Sequence, residues 1–152
     1  MKTELNKEEI KNLLPHREPM LLVDRLTRIV PMVSATGHIY VTKDKFYFDG
    51  HFPEAPVFPG VLIVEAFGQA AAALAAHSLD PKEVENKLVF LMTIDKARFR
   101  SPIIPECELL LHVKVEKIKG RIWKYSGIAT VNDKKMAEAE WMATIADRNE
   151  DK

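Results

Sequence analysis

The segment GVLIVEAFGQAAAALAAHSL, Gly60 to Leu79, restricts the folds open to this chain more than any other stretch. Alanine, the best helix former, dominates it, so it reads as one long helix. A surface helix normally carries a polar stripe. This one is apolar nearly all round, so most of its circumference must be wrapped. The apolar run from Val61 to Ala76 contains Glu65, Gly68 and Gln69 and is short for a membrane span, which leaves a core helix as the expectation.

The flanking segments supply the wrapping. Asn6 is an N-cap candidate, with Glu8 and Glu9 in the first turn and Pro15 beyond the end, which predicts a short helix over Lys7–Leu14. MLLVDRLTRIV and VSATGHIYVT read as strands, and FYFDGHFPEAPVFPG as an ordered Pro- and Gly-rich loop. After DPKEVEN, four strand-like runs follow: KLVFLMTIDKARFR, ELLLHVKVEKI, RIWKYSGIATV and KMAEAEWMATI. Leu109, Leu111, Val113 and Val115 share one face of the second. Ala137, Ala139, Trp141, Ala143 and Ile145 share one face of the fourth, with Glu138 and Glu140 pointing away. Turns at Lys119-Gly120 and Asn132-Asp133 make hairpins, hence an antiparallel sheet. The expected class is α+β, a sheet curled round the one long helix. One curved sheet leaves part of an all-apolar helix open, so an obligate twofold dimer is expected.

A length of 152 residues suits a single domain over 1–152, with a polar tail from about residue 147. The formal net charge is zero, which argues against bulk electrostatic binding to nucleic acid or membrane. Cys107 is the only cysteine, so no intramolecular disulfide forms, and a reducing compartment fits. The N-terminal MKTELNKEEIKNLL has no signal-peptide apolar core, so a soluble, cytoplasmic protein is expected. His16, His38, His77 and His112 show no metal-ligand spacing, and no metal is expected.

Three features carry chemistry. Glu65 lies inside the apolar helix. Burial disfavours the charged carboxylate, and a glutamate raised towards about 6–7 can donate a proton at neutral pH. Gln69 is one turn on and could hold it by a hydrogen bond. A structural buried acid fits the same pattern. His51 sits in the proline-stiffened loop and has an unperturbed pKa of about 6.5, suited to a general base, although a satisfied surface histidine reads the same way. Gly60 opens the helix, where unpaired backbone N–H groups can face a carbonyl oxygen that gains negative charge. One such donor is worth roughly 2.7–4 kcal/mol in comparable sites. Pro-Gly is also an ordinary helix start. Together a base, an acid and an amide suffice for β-elimination of water from a 3-hydroxyacyl compound without cofactor.

At these residues the chain resembles a known family, the Z-type 3-hydroxyacyl-[acyl-carrier-protein] dehydratases of type II fatty acid synthesis. PHREPMLLVDRL, GHFPEAPVFPGVLIVEAFGQ and IDKARFRSPIIP are similar to its signatures, and the likeness spans about Leu13 to Ala146. The resemblance implies the hot-dog fold, a curled antiparallel sheet of about six strands round a central helix. It implies dimers with sites at the interface, often assembled as trimers of dimers. It makes His51 the base and Glu65 of the partner subunit the acid or water-positioning group. The Gly60 amide would bind the thioester oxygen, and the Val57 carbonyl would orient His51. Phe52, Phe58 and Pro59 would shape the acyl tunnel. The substrate partner would be acyl carrier protein, which is acidic. Strand alternation predicts Lys96, Arg98 and Arg100 on one face as its docking row, with Arg17 either assisting or anchoring the N-terminal segment.

Aspartate stands at the Glu65 position in a sister family that also isomerises the double bond, so glutamate favours the non-isomerising type. Gly68 replaces a usual alanine, Thr93 a common glycine, and Glu106-Cys107 a usual Gly-Asp. A hot-dog thioesterase and a non-catalytic acyl-carrier-binding module are the alternative readings.

Overall fold

The computed structural model describes residues 2–147. The expected polar tail beyond Asp147 lies outside the described residues. Helix α1 (Lys7–Leu13) opens with a capping box: Asn6 accepts from the Glu9 N–H while Glu9 reaches back to the Asn6 N–H. Strands β1 (Arg25–Val30) and β2 (Ser34–Val41) follow, then the long helix α2 (Gly60–Ser78), a short helix α3 (Pro81–Val84), and strands β3 (Lys87–Phe99), β4 (Cys107–Lys119), β5 (Ile122–Val131) and β6 (Lys134–Asp147). All six strands join one antiparallel sheet in the order β1-β2-β4-β5-β6-β3.

The hairpins form where the turn residues dictate. Gly120 has φ +61°, and Asn132 and Asp133 have φ 49° and 65°. Positive φ at both central positions, as at Asn132-Asp133, suits a type I′ turn, and positive φ at the first alone, as at Gly120, suits a type II′ turn. Register then sets alternate side chains inward. Leu109, Leu111, Ala129, Ala137 and Trp141 are buried against α2. Phe67 on α2 stacks on Trp141 at 5.3 Å between centroids, and the aromatic row continues to Tyr125 at 5.6 Å. A Cβ at position 127 would lie 2.7 Å from the Phe67 ring, so glycine there is what lets helix and sheet meet. Each such large buried side chain contributes about 1.5–3 kcal/mol.

The sheet and N-terminal segment cover α2 more completely than its composition suggests. Ala70 through Ala75 are all buried within one subunit. This helix is the one among the described residues long and apolar enough to cross a membrane, and it is the core of the fold. Uncovered apolar surface remains at Val61 in the first turn of α2 and forms a run on the edge strand β3, where Val89, Phe90, Leu91, Met92 and Ile94 are all exposed.

Two expected elements differ. The first strand begins at Arg25 and not at Met20, because the Met20 and Leu22 backbone groups bond the Gln69 side chain and not a neighbouring strand. In β3 the register shifts between Leu91 and Thr93 and again between Asp95 and Arg98, with Lys96 at φ 51°. The second bulge interrupts the regular spacing of Lys96, Arg98 and Arg100, although Arg98 is still in register with Glu138 and the other two reach Glu140 and Glu138 on the same face. The short helix α3 and a 3-10 turn at Phe46–Phe48 were not foreseen; α3 has its own capping box between Asp80 and Glu83.

Candidate active site

The loop before α2 folds back on itself. The Val57 N–H donates to the His51 carbonyl oxygen at 2.9 Å, and the His51 ring nitrogen Nδ1 lies 2.8 Å from the Val57 carbonyl oxygen. A carbonyl only accepts, so Nδ1 carries a proton, and in the neutral tautomer Nε2 is the lone-pair nitrogen. The contact fixes the orientation of the imidazole. Its ring stacks on Phe52, 4.1 Å between centroids.

His51 shares a cavity of about 200 Å³ with Val57, Gly60, Phe99, Arg100 and Ser101. Helix α2 starts at Gly60, and its N-cap is Pro59, which offers no side-chain acceptor. The Leu62 and Ile63 N–H groups bond the Pro59 carbonyl, which leaves the Gly60 and Val61 amides as the helix's outward donors. A Cβ at position 60 would stand 3.2 Å from the Phe99 ring, so glycine here admits that ring. Phe58 is buried against Tyr47 and its amide donates to the Ile103 carbonyl, while Phe52 is exposed.

Glu65 occupies a different cavity, of about 80 Å³, lined by His16, Gly68, Gln69, Ala72, Val89, Leu91, Tyr125 and Trp141. Five residues separate it from Gly60, which places it roughly 140° round the helix. His51 and Glu65 of one chain therefore open into separate spaces. Gln69 is buried and fully satisfied: its Oε1 accepts from the Leu22 N–H at 2.9 Å, and its Nε2 donates to the Met20 carbonyl at 2.7 Å and to Glu65 Oε2 at 2.8 Å. His16 Nε2 lies 3.3 Å from the same Glu65 oxygen.

The expectation of a raised Glu65 pKa is corrected here. The His16 contact, aided by the Gln69 hydrogen bond, outweighs partial burial and holds the carboxyl below its ordinary value. The carboxylate is only half-buried in the subunit, and two donors favour its charged form. Glu65 is ionised at neutral pH and is suited to accepting a hydrogen bond rather than giving a proton. Sequence reasoning did not single out His16 for this; the PHR tripeptide in the first signature was the available signal.

The basic row is largely neutralised. Lys96 pairs with Glu140 at 3.3 Å and Arg100 with Glu138 at 2.9 Å. Arg98 makes no ion pair among the described residues, and Arg100 also borders the His51 cavity. Arg17 anchors the N-terminal segment: its guanidinium donates to the Leu14 and His16 carbonyl oxygens. Among the departures, the Glu106 carboxylate accepts the Lys43 N–H, Thr93 donates to Asp95, and Gly68 faces open space. No group of His, Cys, Asp and Glu side chains among the described residues is arranged to hold a metal.

The FabA-like domain model matches residues 14–140. A 3-hydroxyacyl-[acyl-carrier-protein] dehydratase FabZ from Anaeromyxobacter sp. (strain K) is 51% identical over 139 residues, covering 91% of this chain and 89% of the relative. The FabZ of Myxococcus xanthus is 48% identical over 145 residues, covering 94% and 93%. The chain belongs to the FabZ dehydratase family. Among solved structures, the dehydratase heterocomplex ApeI:P from Xenorhabdus doucetiae superposes with TM-score 0.80 at 14% identity, covering 93% of each chain. The virulence protein Cj0977 from Campylobacter jejuni gives TM-score 0.67 at 14% identity, covering 95% of this chain and 93% of that one. These distant likenesses carry the fold, which is the hot-dog arrangement expected of the family.

Proposed function

We propose that this chain, as a single hot-dog domain paired in a homodimer, dehydrates (3R)-hydroxyacyl-[acyl-carrier-protein] to the trans-2-enoyl thioester in fatty acid biosynthesis. It is a hydro-lyase, as its FabZ relatives are by name. His51 Nε2 takes the proton from C2 of the acyl chain. Charge moves onto the thioester oxygen, which the Gly60 amide at the start of α2 stabilises. The C3–O bond breaks as the C2–C3 double bond forms. Glu65 of the partner subunit holds the departing hydroxyl, and the proton taken by His51 returns to it as water. Atoms balance with no cofactor.

The observation that carries the reading is the Nδ1 contact to the Val57 carbonyl, which leaves Nε2 as a free base in the same cavity as the helix start. The dimer is supported by β3, an edge strand with apolar side chains exposed along its length. An exposed apolar edge invites pairing. Phe99, in the His51 cavity, ends β3, while Val89 and Leu91, in the Glu65 cavity, lie near its start. Antiparallel pairing of two β3 strands about a twofold axis therefore brings the His51 end of one subunit to the Glu65 end of the other. The family resemblance extends this assembly to a trimer of such dimers. Arg98, the uncompensated cation of the row, is the strongest of the three for docking the acidic carrier. A reducing, cytoplasmic setting accords with the lone, half-buried Cys107.

Purified protein supplied with 3-hydroxyacyl- or 2-enoyl-carrier-protein should interconvert the two without additives. His51→Ala and Glu65→Gln should each lower kcat by roughly 10²–10⁴-fold. Wild-type rates from both variants refute the reading. Release of free thiol in place of enoyl product assigns thioesterase chemistry, and tight carrier binding without turnover at any chain length leaves a binding module.

A further inference from the structure

We infer that His16 is a positioning residue for the reaction, presenting an N–H to Glu65 so that this side chain works as an oriented carboxylate. The inference rests on the dehydratase reading of the Glu65 site and assigns that site one more participant. Its basis is geometric. His16 Nε2 is 3.3 Å from Glu65 Oε2. A carboxylate accepts only, so the imidazole meets it as a donor. Gln69 Nε2 donates to the same oxygen at 2.8 Å. Oε2 is thus held from two sides, while Oε1 has no partner among the described residues and remains for a substrate hydroxyl. The other His16 ring nitrogen, Nδ1, is buried with no hydrogen-bond partner. An orphaned nitrogen there is best tolerated as a lone pair, since a buried unpaired N–H of a charged ring costs more. That favours the tautomer with the proton on Nε2, the one that serves Glu65.

The backbone round His16 is built to keep it there. Arg17 donates to the carbonyl oxygens of Leu14, at 2.9 Å, and of His16, at 2.6 Å. Downstream, Gln69 binds both Met20 and Leu22. The loop from Pro15 to Leu22 is therefore clamped to α2 at the turn that carries Glu65. His16 also stands between two spaces: it lines the Glu65 cavity and a second, mainly apolar one of about 100 Å³ running past Ala72, Ala75 and Ala76 to Leu79 and Ile145. The other titratable groups facing these spaces are Tyr125 on β5 and Lys87 at the start of β3. In the proposed dimer, His51 of the partner subunit joins them. The lowered Glu65 pKa accords with the contact.

The test compares His16→Phe, which keeps ring bulk and removes the N–H, with His16→Gln, which keeps a donor. His16→Leu replaces the first if it does not fold. Carbon NMR of the Glu65 carboxyl, assigned through Glu65→Gln, should show its titration midpoint move to higher pH in His16→Phe and return towards wild type in His16→Gln. In turnover, His16→Phe should lower kcat roughly 10-fold or more with KM little changed. The acid limb of its pH–rate profile should shift upward with the NMR midpoint, because an active carboxylate is then lost earlier as pH falls. Donor-retaining His16→Gln should recover most of the rate. An unmoved midpoint in folded His16→Phe, an unchanged or raised kcat, or a His16→Gln no better than His16→Phe overturns the inference. If the wild type shows no dehydration at all, the functional reading fails by itself, and the NMR comparison still decides whether His16 holds Glu65 ionised.

Discussion

Replacing Gln69 by leucine tests whether one buried amide joins the fold to the site. The side chain is 1% exposed and makes three hydrogen bonds. Leucine fills nearly the same volume, so little cavity term arises. What changes is polar satisfaction. The Leu22 N–H, in a fully buried bond, loses its acceptor, and a buried unsatisfied donor costs about 1–3 kcal/mol. The Met20 carbonyl and Glu65 Oε2 are only partly buried and can turn to water, so their losses are smaller. The sum is about 2–4 kcal/mol, a large part of the ~5–15 kcal/mol typical of a domain. With roughly 2–4 °C of Tm per kcal/mol at this chain length, Tm should fall by roughly 4–16 °C. Calorimetry at matched protein concentration measures it, since oligomerisation ties Tm to concentration. A Gln69→Leu protein melting within about 2 °C of wild type would refute the reasoning. Its turnover should drop as well, because Glu65 loses a donor.

Gly68→Ala should stabilise by about 1 kcal/mol, since alanine is the better helix former and an added Cβ meets no atom within 4 Å; an unchanged Tm counts against it. Leu91→Lys, on the exposed edge of β3, should yield folded monomer in sedimentation and abolish turnover, whereas an intact active dimer would remove β3 from the interface. Arg98→Glu should raise KM for the carrier-borne substrate and leave a small pantetheine thioester unaffected; equal effects on both would place Arg98 in catalysis or folding. Glu138 is held down to about 2, chiefly by Arg100 and then by Lys135, so it should stay ionised until the pH falls to that range. Arg100→Gln should move its NMR midpoint upward, and an unmoved midpoint would mean the pair is not formed in solution.

Much of the candidate site was legible because its contacts are local. His51, Val57 and Gly60 lie within ten residues, and one loop closing on itself brings them together. Gln69 follows Glu65 by one helical turn, so their contact follows from helix geometry. His16 and Phe99 could not be found this way. Each reaches the site from a distant segment, His16 through the clamp of residues 15–22 on α2 and Phe99 through the end of β3 against Gly60. The spacing within the basic row was only partly legible for a related reason. Alternation assumes an unbroken strand, and the bulge between Asp95 and Arg98 depends on pairing with β6.

The periodicity of the strands, the turn residues and the alanine-rich helix were enough by themselves to determine a curled antiparallel sheet round one helix. Those signals act over a few residues, where backbone propensity and side-chain period decide. Only the tertiary structure decided the charge of Glu65. Its place in an apolar stretch argued for a neutral acid, but the free energy of a carboxylate depends on which donors arrive from elsewhere in the chain. Here His16 and Gln69 arrive, and they reverse the sign. Tertiary packing likewise buried most of the helix beyond its first turn and left a longer apolar run open on β3, because burial is set by what folds over a segment and not by its own composition.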